Sequence, residues 1–173
     1  DYEDKLIIPG MVDLHVHAPQ YAFRGMCMDL ELMDWLNQYT FPEEEKYTNL
    51  DYAEKAYSIF TKALKKSATT RACIFATRHR EATVLLMELM EETGLVSYVG
   101  KVNMDREASE KLIEDSALIS AFSTFAWINA VKDKYVNNCF FSESVSSPFF
   151  IQAENPLKIS DIPSARLFHL SFV

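Results

Sequence analysis

Cysteine is scarce in this chain: Cys27, Cys73 and Cys139 are the only three in 173 residues. Their number is odd and their spacing wide, so they suit neither a disulfide framework nor a Cys-x-x-Cys zinc site. A reducing, cytoplasmic setting is the expectation that follows. Long apolar runs are missing too; none approaches the roughly 20 residues of a membrane span. The N-terminus has no basic-then-apolar leader, and it begins with Asp1 rather than Met, as an excerpt of a longer product would. Positive charge is in deficit, with 17 Lys and Arg against 25 Asp and Glu, a net charge of −8 and a pI near 5.0. Binding to a phosphate backbone rests on clustered Lys and Arg. Neither nucleic acid nor a membrane is therefore an expected partner, whereas a small neutral or cationic ligand is compatible. Internal repeats and low-complexity segments are also absent.

What remains has the balance of a globular chain, 49% hydrophobic and 24% charged. It is long enough for one domain with a core of its own. Lys5 to Ile8 is a short apolar run stopped by Pro9-Gly10, and Met11 to Val16 follows as a buried strand that ends at the His pair. Ala18 to Met28, with Pro19 and Gly25, reads as a loop above the strand end. Asp29 is placed to cap a short helix bearing Leu32, Met33, Trp35 and Leu36, which Phe41-Pro42 ends. Glu43, Glu44 and Glu45 read as a solvated helical turn.

Asn49 or Asp51 opens a longer helix with Tyr52, Ala53, Ala56, Tyr57, Phe60 and Leu64 at helical spacing. Thr69 to Thr77 is a second strand and Glu81 to Thr93 a helix, with Gly94 where a C-terminal cap belongs. Val96 to Val102 is a third strand, and residues 109–135 are helical in pattern with an apolar middle. Strands alternating with helices, and strands that are continuous apolar runs, argue for parallel βαβ units. Residues 137–173 are aromatic and Ser-rich, contain three prolines and keep no period.

Within this order, His15 and His17 stand out. Side chains alternate along a strand, so the two imidazoles share a face, with their backbones roughly 6.6–6.8 Å apart. Imidazole suits zinc and similar metals. A catalytic zinc, however, takes three protein ligands and a water, so the pair needs help from elsewhere. The pair ends the first strand, and ligands of parallel α/β folds gather at such carboxyl ends. Asp13 shares that face, either as a support for the pair or in a structural hydrogen bond. Gln20, three residues on, carries an amide that both donates and accepts, as reading a heterocyclic base requires. His79 falls just past the second strand and is a structural histidine by default; His169 sits in the unplaced tail.

The run Ile7-Ile8-Pro9-Gly10-Met11-Val12-Asp13-Leu14-His15-Val16-His17 resembles the opening signature of the amidohydrolase superfamily, metal-dependent hydrolases on a (β/α)₈ barrel. The stretches HAPQYAFRGMCMDLELMDWLNQYTFPEEEKY, TTRACIFATRH and YVGKVNMDR are similar to guanine deaminases within it, over roughly residues 4–115. The resemblance implies an α/β fold, a partial TIM-type barrel holding about the first three βα units. It implies zinc as the metal, with His15 and His17 as ligands and Gln20 as the residue that hydrogen-bonds the guanine ring. The implied activity is hydrolytic deamination of guanine to xanthine and ammonia, with a homodimer expected for a complete barrel. His79 matches a family histidine to which no catalytic role is assigned.

Other family features have no counterpart in this sequence: the later-strand His ligands, the Asp near the eighth strand, the proton-shuttling Glu of the fifth, and the Pro-Arg-Phe segment of the fourth. No catalytic residue is identifiable, and the chain is well short of the roughly 250 residues of a full barrel. A non-catalytic fragment is therefore one alternative, and another amidohydrolase, a chlorohydrolase or a different base deaminase, is a second. Residues 1–136 are assigned to the barrel portion and 137–173 to a divergent tail. The match drops out at Ala117–Ala126, returns in WINAVKDKYV and ends after Asn137, as a shifted reading frame would produce. Reading the underlying DNA in all three frames should recover downstream barrel sequence, and its absence from every frame would sink the idea.

Overall fold

The computed structural model describes residues 4–104 and 108–131. The tail 137–173, its boundary at 136/137, His169 and the last residues of the expected 109–135 helix lie outside them. Three parallel strands, β1 (Met11–His17), β2 (Thr69–Phe75) and β3 (Val96–Gly100), form one sheet in the order β1-β2-β3. Between β1 and β2 run a 3₁₀ turn (Pro19–Phe23), helix α1 (Leu32–Trp35), a π turn (Leu36–Thr40), helix α2 (Phe41–Glu45), a second 3₁₀ turn (Lys46–Thr48) and helix α3 (Leu50–Lys66). Helix α4 (Arg80–Glu91) joins β2 to β3, and α5 (Ala117–Val131) follows. The expected alternation of strands and helices is present, as the α/β start of a barrel.

β2 is the central strand, and its alternating side chains divide the core in two. Ala72 and Ile74 face α3 and α4, within a cluster that includes Ala53, Tyr57, Phe60, Leu86 and Met90. Phe75 faces the other way, into a smaller cluster with Leu36, Phe41, Val102, Met104 and Leu112 that Cys73 and Tyr98 flank. Each helix is built for this job. Asn49 caps α3 by accepting from the Asp51 and Tyr52 amides at 2.9 and 3.3 Å, and Ala53, Tyr57, Phe60 and Leu64 line its inner face. α4 turns Ala82, Leu86 and Met90 inward, and Gly94 at φ +74° ends the segment as the sequence suggests.

Several expectations fail for identifiable reasons. β1 is not buried: Val12 is 52% and Leu14 69% exposed, because the strand lies at the sheet edge with one side unpaired. Asp29 does not cap α1; Glu31 occupies that position, without a side-chain cap bond. Phe41-Pro42 does not end the helical run but begins α2, since proline is tolerated in a first turn. Glu43 and Glu44 are buried rather than solvated, because α2 lies with these side chains against neighbouring elements. The last helix begins at Ala117 rather than Ser109.

A polar network holds the exit of β3. Lys101 is fully buried, and its Nζ donates to Asn103 Oδ1 at 2.7 Å, Val102 O at 3.1 Å and Glu114 Oε1 at 3.2 Å. Glu114 Oε2 accepts from the Met104 amide at 3.1 Å and from Ser120 Oγ at 2.7 Å. Thr124 Oγ1, one turn further along α5, donates to Asn103 Oδ1 at 2.9 Å. Both charges are thus paired and hydrogen-bonded, the condition for tolerating an ion pair away from water. Lys101→Ala strands the Glu114 carboxylate and should destabilise the chain by about 3–5 kcal/mol, read from the urea midpoint; an unchanged midpoint would mean the pair is not shielded.

Candidate metal centre

His15 and His17 do share one face at the carboxyl end of β1, and their Nε2 atoms approach to 3.1 Å. Pairing places His17 opposite Phe75 of β2. The Phe75 ring stacks on the His17 ring at 4.8 Å and 13° and meets the His15 ring at 4.6 Å. One phenyl group therefore backs both imidazoles and limits their rotation. Immediately after the pair the Ala18 amide donates to the Phe75 carbonyl at 3.0 Å, which ties the following loop to the end of β2.

Two nitrogens 3.1 Å apart lie within twice the usual zinc–nitrogen distance of about 2.0–2.1 Å. Both can therefore reach a single ion without rearranging the strand. Burial, and then the neighbouring His15, lowers the His17 pKa to about 4, so its ring is neutral at neutral pH, as a ligand must be. With the folded value below the usual 6.5, the stability linked to this ring is present above that pH and is lost as pH falls towards 4. The donor set fits a metal as half a site. Among the described residues no group of three or more His, Cys, Asp or Glu could hold an ion.

The other sequence candidates divide clearly. Asp13 Oδ1 accepts from the His15 backbone amide at 3.1 Å, so its carboxylate steadies the strand beside the pair. Gln20 sits half-buried in the Pro19–Phe23 turn that begins directly above the strand end. His79 stands apart: its Nε2 meets Thr48 Oγ1 at 3.2 Å, and burial, then Arg78 and Lys101, lowers its pKa to about 4. Cys73, next to Asp13, has its thiol pushed up by burial and then by that charge, so it stays protonated.

Two residues escaped the sequence reading. Phe75 looks like any core residue until the register sets it against the pair. Glu44 looks like one of three solvated acids, yet it is buried, and burial raises its pKa to about 7 against the pull of the Thr77 hydroxyl and the Arg78 amide and guanidinium. The one available signal was its spacing: Tyr47, three residues on, shares its helical side.

The architecture is a parallel α/β sheet with a His pair at the carboxyl end of its first strand. The family model for the Amidohydrolase family matches residues 6–157, so the chain belongs to that family.

Within the family, the chain is similar to guanine deaminases. That of Rattus norvegicus is 46% identical over 101 residues, which is 58% of this chain and 22% of the relative. That of Escherichia coli (strain K12) is 40% identical over 114 residues, 66% of this chain and 26% of the relative. A crystal structure of guanine deaminase from C. acetobutylicum with bound guanine in the active site superimposes with a TM-score of 0.73 at 43% identity, over 86% of this chain and 34% of that one. The chain thus spans about a quarter of the curated relatives it matches and a third of the solved one.

Single His15→Ala and His17→Ala variants should each weaken zinc uptake, and the double variant should abolish it, measured by competition with a chromogenic chelator. Unchanged uptake in the double variant would remove the pair as a metal site.

Proposed function

We propose that this chain is the N-terminal portion of a zinc-dependent guanine deaminase, the part that supplies two metal ligands and the first contact to the purine. The observation that carries the reading is the 3.1 Å convergence of the His15 and His17 Nε2 atoms, followed in the chain by the turn that bears Gln20. The similarity to guanine deaminases, one of them a structure with bound guanine, supports guanine as the substrate and xanthine and ammonia as products.

His15 and His17 would hold the zinc, whose chemistry is to lower the pKa of a bound water and so make a nucleophile near neutral pH. The phenyl wall of Phe75 backs both rings. Gln20 would orient the base, its amide donating to a ring acceptor and accepting from a ring N–H. Among the described residues no group of three or more His, Cys, Asp or Glu could hold an ion, so further ligands would come from elsewhere. That same observation favours a second reading for the chain by itself, a non-catalytic partner of the remaining barrel. A purine base as ligand, a cytoplasmic setting and a homodimer of complete barrels belong to the proposal.

A hybrid provides the test: this chain co-expressed with the C. acetobutylicum guanine deaminase segment that lies beyond the aligned third. The hybrid should release ammonia from guanine with zinc present, and His15→Ala with His17→Ala should silence it. An inactive hybrid, alongside an active control assembled from the two C. acetobutylicum segments, would overturn the reading. Deamination by this chain alone would overturn the non-catalytic alternative.

A further inference from the structure

A zinc held by protein groups alone takes four donors in a tetrahedron, and His15 and His17 supply two. Their Nε2 atoms, 3.1 Å apart, subtend an angle of about 100° at a zinc bonded to both at about 2.0–2.1 Å. The pair therefore fills two neighbouring corners and leaves the other two open. Asp13 is the nearest acid on the strand face, but its Oδ1 is engaged by the His15 amide. Among the described residues no group of three or more His, Cys, Asp or Glu completes the set.

The pair also stands where a second molecule can reach it. β1 is an outer strand, paired among the described residues with β2 alone. Phe75 of β2 lies against both rings, while His15 is exposed and His17 half-buried. Leu14 and Val12 of the same strand, and Ile7 before it, are exposed as well. A two-fold contact sets the same patch of both molecules face to face, so an ion on the axis receives identical donors from each. Two copies thus bring four imidazoles, a full tetrahedral shell. Each copy carries a net charge of −8, which opposes pairing through the apolar edge by itself. A divalent cation at the contact offsets that repulsion.

We propose that two copies of this chain share one zinc ion through His15 and His17 of each, as a metal-bridged dimer across the open edge of β1. The bridge rests on one part of the reading above, the pair as a zinc site, and is independent of guanine as substrate. With four imidazoles on the ion no corner stays open for a water, so the bridged dimer is structural rather than catalytic.

The experiment titrates zinc into the full chain, with mass read by sedimentation velocity and bound metal by chelator competition. Without zinc the chain should sediment as a monomer. With zinc the mass should double at one ion per two chains, and excess chelator should reverse the change. X-ray absorption on the dimer should count four imidazole nitrogens around the metal. His15→Ala combined with His17→Ala should stay monomeric at every zinc concentration while keeping the wild-type circular dichroism spectrum. If that variant loses its fold, the wild-type stoichiometry and coordination count decide by themselves. One zinc on each monomeric chain would overturn the bridge and leave the pair as a metal site. No zinc uptake at all would overturn both. Dimers that form without zinc, or a dimer whose metal carries only two imidazoles, would also overturn the bridge.

Discussion

Backbone pairing between β1 and β2 sets His17 beside Phe75, and most of what matters in this molecule depends on that register. Slippage by one residue would turn every β1 side chain to the opposite face and separate the imidazoles from the phenyl wall. The pairing is not uniform: its register shifts between Met11 and Val12 and again between Asp13 and Val16. Gly10 guards the entry, since a Cβ there would come within 2.3 Å of the Thr70 side chain. The Asp13 bond to the His15 amide secures the irregular stretch from within the strand. The His15–His17 pair is thus held by neighbouring backbone and one aromatic ring.

The two faces of the sheet are unequally finished. The helix-facing side has a continuous core from Ala53 to Trp127. The opposite side has its own smaller cluster. On β1, Met11, Val12 and Leu14 stay open to solvent, as do Leu6, Ile7 and Ile8 before it. α5 shows the same imbalance in miniature. Ser120, Thr124 and Trp127 turn toward the body at helical spacing, whereas Ile119, Phe122 and Phe125 are exposed. An amidohydrolase barrel closes such a sheet with further strands, which fits a chain that spans a third of its solved relative.

Much of this was legible in the sequence because the signals were local and periodic. The cap at Asn49, the inner face of α3, the turn at Gly94 and the shared face of His15 and His17 all follow from spacing. What was not legible depended on distant contacts. The exposure of β1 reflects which strands lie beside it, a matter its own apolar residues do not record. Glu43 and Glu44 sit in a run of three acids that composition alone assigns to water. Their burial comes from Tyr52, Lys46, Thr77 and Arg78, contributed by later segments. Phe75 became part of the site only through pairing with a strand more than fifty residues earlier in the chain.

That separation bears on the order in which the chain assembles. β2 and β3 are joined through residues 76–95, whereas β1 must close on β2 across residues 18–68. Closing the longer loop costs more entropy before any contact rewards it, and non-local pairings are the slow ones. The β2–α4–β3 unit is therefore the natural nucleus, with β1 docking onto a preformed edge. The strand carrying His15 and His17 would then be the last of the three to settle and the first to leave, so any ion that bridged the pair would act at the kinetically weakest seam of the sheet.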